Sequence, residues 1–335
     1  MATLPLLPDR GTKLVGIARL ASHGETLREG HAVEYFTLPS RSLLNRTTSG
    51  RVPFTWTINP YRGCEFACKY CYARYTHEFM EMRNGSDFEQ KIYVKQHAAG
   101  LLRPELRQVK PGEEIAIGTA TDPYQPAEKR YEVTRAILEE LARHQGLTLG
   151  IITKSNFVLR DIDLLKKIGR QNSLWVHLTI TTLNVDLARR LEPRAPRPDL
   201  RLEAVRQLNL AGIQVAVSCS PVLPGITDSP RDLEAVVRAT AQAGGQDIFA
   251  NPLFLKPCSA AVFFPFLEKE FPQLAENYRR RYQDSAFLPK AYSQRLSQLM
   301  SRLREKYGMR RNSGRDRGHG PLPAAAVSET QLSLF

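Results

Sequence analysis

From residue 54 onward the chain alternates two hydrophobic patterns. Short β-branched, apolar runs recur at FTWTIN (54–59), EIAIGTA (114–120), LTLGIITKS (147–155), LWVHLTITT (174–182), IQVAVSCSPV (213–222) and DIFANPLFL (247–255). Each has turn signals nearby and predicts a buried strand. Between them the apolar spacing lengthens to that of a helix. PAEKRYEVTRAILEELARHQG (126–146) sets Val133, Ile137, Leu138 and Leu141 on one face, between an opening proline and a closing glycine. RDIDLLKKIG (160–169), PDLRLEAVRQLNLAG (198–212) and SPRDLEAVVRATAQAGG (229–245) predict further helices, with Ser229 and Asp199 as expected N-caps. About six strand–helix alternations predict an α/β chain with a parallel sheet covered by helices, as an open sheet or a partial barrel.

The flanks differ. Residues 1–52 show weak periodicity and predict an N-terminal extension that packs irregularly. The core is expected over 53–258, followed by a helical region over 259–308 that includes KAYSQRLSQLMSRLREKYG (290–308). Residues 309–335 are polar, bear Gly and Pro, and predict a disordered tail. The chain ends QLSLF, three apolar side chains in five residues.

A length of 335 residues with 42% hydrophobic content suffices for a sizeable core. No apolar run reaches the roughly 18 residues of a membrane span, and the first residues lack a secretory signal. The net charge is +13, from 47 Lys and Arg against 34 Asp and Glu, which points to a polyanionic partner such as nucleic acid. Five cysteines, three of them bunched, do not make a disulfide framework and place the chain in a reducing compartment, the cytoplasm.

The bunched cysteines are Cys64, Cys68 and Cys71, spaced C-x3-C-x2-C just past the first predicted strand. Parallel α/β folds put their chemistry at such strand ends. Thiolates suit zinc, copper(I) and iron–sulfur clusters. A closed zinc site wants four ligands, and His77 could supply the fourth. Against zinc, the usual two short ligand pairs are missing, and YCYARYTHEF reads as the start of a helix that carries His77 away. A four-iron cluster on three cysteines leaves one iron open to a small molecule.

This motif, after the first strand of an alternating β/α chain, resembles that of the radical S-adenosylmethionine (SAM) superfamily. The resemblance implies a partial (β/α)6 barrel and a 4Fe–4S cluster on Cys64, Cys68 and Cys71. The open iron would chelate SAM, and reductive cleavage by an external electron donor would give a 5′-deoxyadenosyl radical that abstracts hydrogen. The stretches NPYRGCEFACKYCYAR, DFEQKIYVK, GTATDPYQPAEKRYEVTR, ITKSNFVLRD and LEPRAPRPDLRLEAVRQLNLAGI are similar to the spore photoproduct lyase-like, or DNA repair photolyase, group. In the lyase two tyrosines implicated in hydrogen relay flank the last cluster cysteine, and Tyr70 and Tyr72 match them. The lyase cysteine that returns a hydrogen atom is matched by Thr119, a far poorer donor, which puts the same route of dimer reversal in doubt.

By the same resemblance, Thr119, Thr121 and Asp122 contact the SAM amino group, Lys154 its carboxylate and Ser155 a ribose hydroxyl. Thr179 and Thr181 share a strand face beside the ribose, and Glu192 with Arg194 closes the site. Each has an ordinary alternative: a loop cap, a solvated lysine, a good strand former, a Pro-rich connector. Cys219 and Cys258, at the ends of late strands, are core residues or the missing hydrogen donor. Gln331, Leu332, Ser333, Leu334 and Phe335 resemble the bacterial sliding-clamp-binding peptide. These readings point to a radical SAM enzyme acting on DNA. Modification of a protein or small molecule, and a non-enzymatic iron–sulfur nucleic-acid-binding protein, remain the alternatives.

Overall fold

The computed structural model describes residues 14–309, apart from 25, 31–32, 48–49, 51 and 83. Eleven strands are present among the described residues: β1 Thr26–Gly30, β2 Val33–Leu38, β3 Leu44–Arg46, β4 Trp56–Ile58, β5 Tyr61–Arg62, β6 Lys91–Lys95, β7 Glu114–Ile117, β8 Thr148–Thr153, β9 Ser173–Thr179, β10 Gln214–Val222 and β11 Asp247–Pro252. β4, β7, β8, β9, β10 and β11 are neighbours in one parallel sheet, and β3 adds an antiparallel edge beside β4. These six parallel strands are the six apolar runs of the sequence. The order β11-β10-β9-β8-β7-β4-β3 leaves the sheet open, as a partial barrel.

The strands read as unbroken apolar runs because both faces are covered. Ile58, Ile117, Ile151, Val176, Leu178, Val215 and Val217 are fully buried. The helices cover them with the faces their spacing dictates, so Ile137, Leu138 and Leu141 of the helix Val133–Leu141 are also fully buried. Ser229 caps the helix Pro230–Gln242, its hydroxyl accepting from the Asp232 amide at 3.1 Å. After β11 the chain is helical among the described residues: Pro257–Glu270, Pro272–Tyr282 and Lys290–Lys306. Tyr278 donates to the Pro224 carbonyl just past β10, and Tyr282 to the Leu253 carbonyl just past β11. The run Arg279, Arg280 and Arg281 therefore sits on a helix pinned to the C-terminal ends of the parallel strands.

Several expectations are corrected. The N-terminal extension does not pack irregularly. β1, β2, β6 and β5 form a second sheet in the order β1-β2-β6-β5, with β2 and β6 parallel. The continuous helix expected over 126–146 is two, Glu128–Tyr131 and Val133–Leu141, broken at Glu132 with φ +49°. The buried Glu128 carboxylate causes the break, accepting the free amides of Thr134 at 2.8 Å and Arg135 at 3.0 Å that open the second helix. Asp199 is not an N-cap. That position is Arg197, and Asp199 lies in the first turn, paired with the Arg197 guanidinium at 2.6 Å. Cys258 is not at a strand end but in the first turn of Pro257–Glu270.

Candidate active site

The cysteine loop leaves the barrel by way of the other sheet. Two residues after β4 the chain enters β5, which pairs antiparallel with β6. Gly63 then turns at φ +82°, where a Cβ would stand 2.7 Å from the Lys91 carbonyl and 2.8 Å from that of Phe88, so only glycine fits. Cys64 donates its amide to the Phe88 carbonyl at 2.9 Å, and Lys69 to that of Leu191 at 2.9 Å. Buried Gln125 clasps the loop, donating to the Gly63 carbonyl at 3.2 Å and accepting from the Glu65 amide at 3.0 Å. Thr121 donates to the same Gly63 carbonyl at 2.6 Å. Arg74 donates to the Cys68 carbonyl at 3.1 Å and pairs with Glu89 at 2.6 Å.

Burial pushes all three thiols up, Cys68 to about 12. Such sites hold thiolates only with a strongly cationic partner, which is what iron ions provide. His77 is not offered as a fourth ligand: its Nε2 is 3.1 Å from the Lys91 carbonyl, and its ring packs on Phe88 and Tyr93. Burial lowers it to about 4. Three soft thiolate donors on one loop suit iron by their chemistry. The donor set thus fits a cluster held by three thiolates.

Beneath the loop lies a buried ionic network. Glu192 pairs with Arg201 at 2.5 Å and accepts the Tyr70 hydroxyl and, at 3.3 Å, that of Thr181. Arg201 also donates to the Thr179 carbonyl at 3.0 Å and the Pro196 carbonyl at 2.7 Å. The Lys154 ammonium stands 5.9 Å over the Tyr70 ring. Burial disfavours both charges, yet Arg201 and Lys154 hold Glu192 below the ordinary carboxylate range, and Cys68, Glu192 and Asp122 hold Lys154 above the ordinary lysine value.

The residues singled out in the sequence are largely brought together, with unequal freedom. The Asp122 carboxylate is spent internally, accepting from the Tyr124 amide at 2.9 Å, Thr153 Oγ1 at 2.6 Å and the Lys154 amide at 2.7 Å. It ties the end of β7 to the end of β8. Ser155 caps the next turn, accepting from the Phe157 amide at 3.2 Å. Thr119 lies between Asn59, whose Nδ2 is 3.2 Å from its hydroxyl, and Tyr72, which donates to its carbonyl. Tyr72 remains 43% exposed, whereas Tyr70 is buried. Cys219 is fully buried in the core, 3.9 Å from the Thr181 carbonyl, and burial pushes it up to about 12. Cys258 flanks the loop from outside, beside Ser259, whose hydroxyl donates to the Cys71 carbonyl at 2.9 Å. Asn59 and Gln125 were not found from the sequence, because their roles depend on partners 61 and 62 residues away, and Arg201 was not found because nothing local marks it as the partner of Glu192. Gln331–Phe335 lie outside the described residues.

Comparison with known proteins fixes the class. Residues 58–237 match the Radical SAM superfamily, and the chain belongs to it. Enzymes of this superfamily use a 4Fe–4S cluster and SAM. An uncharacterized protein of Mycobacterium tuberculosis is 35% identical over 88% of this chain and 86% of its own length. An uncharacterized protein of Methanocaldococcus jannaschii is 30% identical over 73% of this chain and 86% of its own. The fold is that of spore photoproduct lyase: the structure complexed with dinucleoside spore photoproduct aligns at TM-score 0.62 and 16% identity, over 82% of this chain and 79% of the lyase. Among the described residues no helix is long and apolar enough to cross a membrane.

Proposed function

We propose that this radical SAM enzyme acts on DNA. The observation that carries the reading is the run Arg279–Arg281, on a helix tied by Tyr278 and Tyr282 to the strand ends that face the cysteine loop. Arg280 and Arg281 are exposed, and a polyanion crossing that end would meet them. The net charge of +13 and the fold shared with a structure complexed with a dinucleoside lesion agree with it.

When bound, the reduced cluster and SAM supply carbon-centred radical chemistry for hydrogen abstraction. In this reading Lys154 meets the SAM carboxylate, and the small polar ends of β7 and β9, through Thr119, Thr121, Thr179 and Thr181, line the nucleoside. Tyr70 and Glu192 are positioning residues, since their polar atoms are engaged with each other and with Arg201. Tyr72, exposed and resting on Thr119, is the residue of the pair that can reach substrate. An external donor provides the electron. The C-terminal Gln331, Leu332, Ser333, Leu334 and Phe335 dock on a bacterial sliding clamp, holding the enzyme near replicating or damaged DNA.

The test is anaerobic incubation with SAM, a reductant and irradiated DNA, reading 5′-deoxyadenosine and altered bases by mass spectrometry, beside DNA binding at increasing salt. DNA-dependent base changes are expected. Removing one phosphate interaction, by Arg280→Ala or Arg281→Ala, should flatten the log–log salt slope by about 0.7–0.9. SAM turnover indifferent to DNA, with no salt-dependent binding, would move the substrate to a protein or small molecule.

A further inference from the structure

On the side of the molecule formed by the N-terminal sheet lies a cavity of about 540 Å³. It is lined by the helix Gly16–Ser22, the turn at residues 40–42 and the strands β5 and β6. Among the described residues its charged lining is of one sign: Arg19, Arg41, Arg62 and Lys95, with His23 beside them and no carboxylate.

Two of these cations lie at the floor. Arg62 and Lys95 are 8% and 6% exposed. Arg62 donates to the Thr76 carbonyl at 3.3 Å. Among the described residues no hydrogen bond or ion pair reaches the Lys95 ammonium, although Lys95 lines the cavity. The carboxylate that bears on it, Glu105, is occupied by the amides of Leu43 at 3.0 Å and Leu44 at 2.8 Å. A lysine buried beside an arginine is costly unless an anion joins them. Arg19, Arg41 and His23 are exposed at the mouth, where they can close around the same anion.

We propose that this cavity is a phosphate-binding site, taking the phosphate of a free nucleotide or of a nucleic acid strand. Forked guanidiniums and a point ammonium suit a tetrahedral, multiply charged oxyanion. The volume exceeds what phosphate alone fills and leaves room for the group that carries it. None of the three loop cysteines is among the cavity's described lining residues, and phosphate binding there does not depend on which substrate the radical chemistry serves.

Protonation gives an independent signature. Burial, then the charge of Arg62, lowers Lys95 to about 7, against the smaller opposing effect of Glu105. A bound anion favours the charged lysine and raises that value. Binding above pH 7 therefore takes up a proton and weakens as pH rises; His23, Arg19 and Arg41 also face the ligand, and Lys95→Met isolates the lysine's share.

The experiment is calorimetric titration of the full-length, cluster-loaded protein with inorganic phosphate, in two buffers of different ionisation enthalpy. Wild type should bind with buffer-dependent heat. Lys95→Met and Arg41→Ser should each weaken binding about tenfold or more, the loss of one charge-assisted hydrogen bond, and Lys95→Met should lower the proton uptake measured at pH 8, where phosphate is already mostly dianionic. Competition by a nucleoside monophosphate, or by a single-stranded oligodeoxynucleotide with and without a 5′-phosphate, assigns the source. Should Lys95→Met misfold by circular dichroism, Arg41→Ser decides. No binding of any phosphate probe, or unchanged affinity in the folded variants, overturns the site. Neither result depends on SAM turnover, so it is distinguishable from failure of the DNA reading.

Discussion

Replacing Glu192 with glutamine tests the ionic network beneath the cysteine loop. The change keeps shape and removes one charge. Arg201, 1% exposed, would keep its bonds to the Thr179 and Pro196 carbonyls but lose its counter-ion at 2.5 Å, and Lys154 would add like charge nearby. A buried charge stripped of its partner costs about 3–5 kcal/mol. For a chain of 335 residues, at about 2.1 cal/mol/K of unfolding entropy per residue, that is a fall of about 4–7 °C in melting temperature. Arg201→Met should cost less, because Glu192 keeps Lys154 and the Tyr70 hydroxyl as partners. The double variant should lose less than the two singles together, the signature of coupled residues. The sign with pH follows from the depressed Glu192 value. Its contribution is complete above the ordinary 4.5 and disappears as pH falls through the lower folded value. The assay is thermal melting of the cluster-loaded protein by circular dichroism. An unchanged melting point for Glu192→Gln, an additive cycle, or Arg201→Met as the worse variant would refute the reasoning.

Alanine at Cys64, Cys68 or Cys71 should abolish cluster absorbance and SAM cleavage together, and full iron content in any one of them would remove that residue from the ligand set. Gly63→Ala forces a left-handed backbone costing about 1–2 kcal/mol and sets a methyl group against two carbonyls, so iron content should fall although every thiol remains; normal loading would show that the loop tolerates displacement. Cys219→Ala and Cys258→Ala should still cleave SAM, and a changed product spectrum in one of them identifies a hydrogen donor, whereas identical products leave both as packing residues. Wild type should bind bacterial sliding clamp weakly, on the order of micromolar, with Leu334→Ala/Phe335→Ala abolishing the heat; equal binding by both proteins, or binding by neither, would remove the docking peptide.

The barrel strands were legible because burial on both faces leaves continuous β-branched runs such as EIAI and TLGIIT, whatever their partners. The cysteines were legible because their ligand spacing is local. The N-terminal sheet was not: its β5 has two residues, and its β1, TLREG, holds no apolar run for a period to register. The helix break at Glu132 was hidden for another reason. Its cause, Glu128, also accepts from Tyr61 at 2.5 Å and pairs with Arg160 at 2.6 Å, partners 67 and 32 residues away, so a strong helical pattern overruled it in the reading. Asp122 was found for its position, yet its carboxylate is used to tie two strand ends rather than left open to a ligand.

The bonds that shape the cysteine loop have one more consequence. Phe88, Leu191, Gln125, Thr121 and Arg74 hold its backbone, and none of these contacts uses a cysteine sulfur. Inserting iron therefore breaks none of them. In zinc fingers the ligands are organised only as the metal binds, so metal affinity and folding are one event. Here contacts that use no sulfur contribute to loop closure alongside the metal. The expected outcome is that cluster assembly loads a chain already folded: a chelator should strip the iron, leave the circular dichroism spectrum unchanged, and allow the cluster to be rebuilt without refolding.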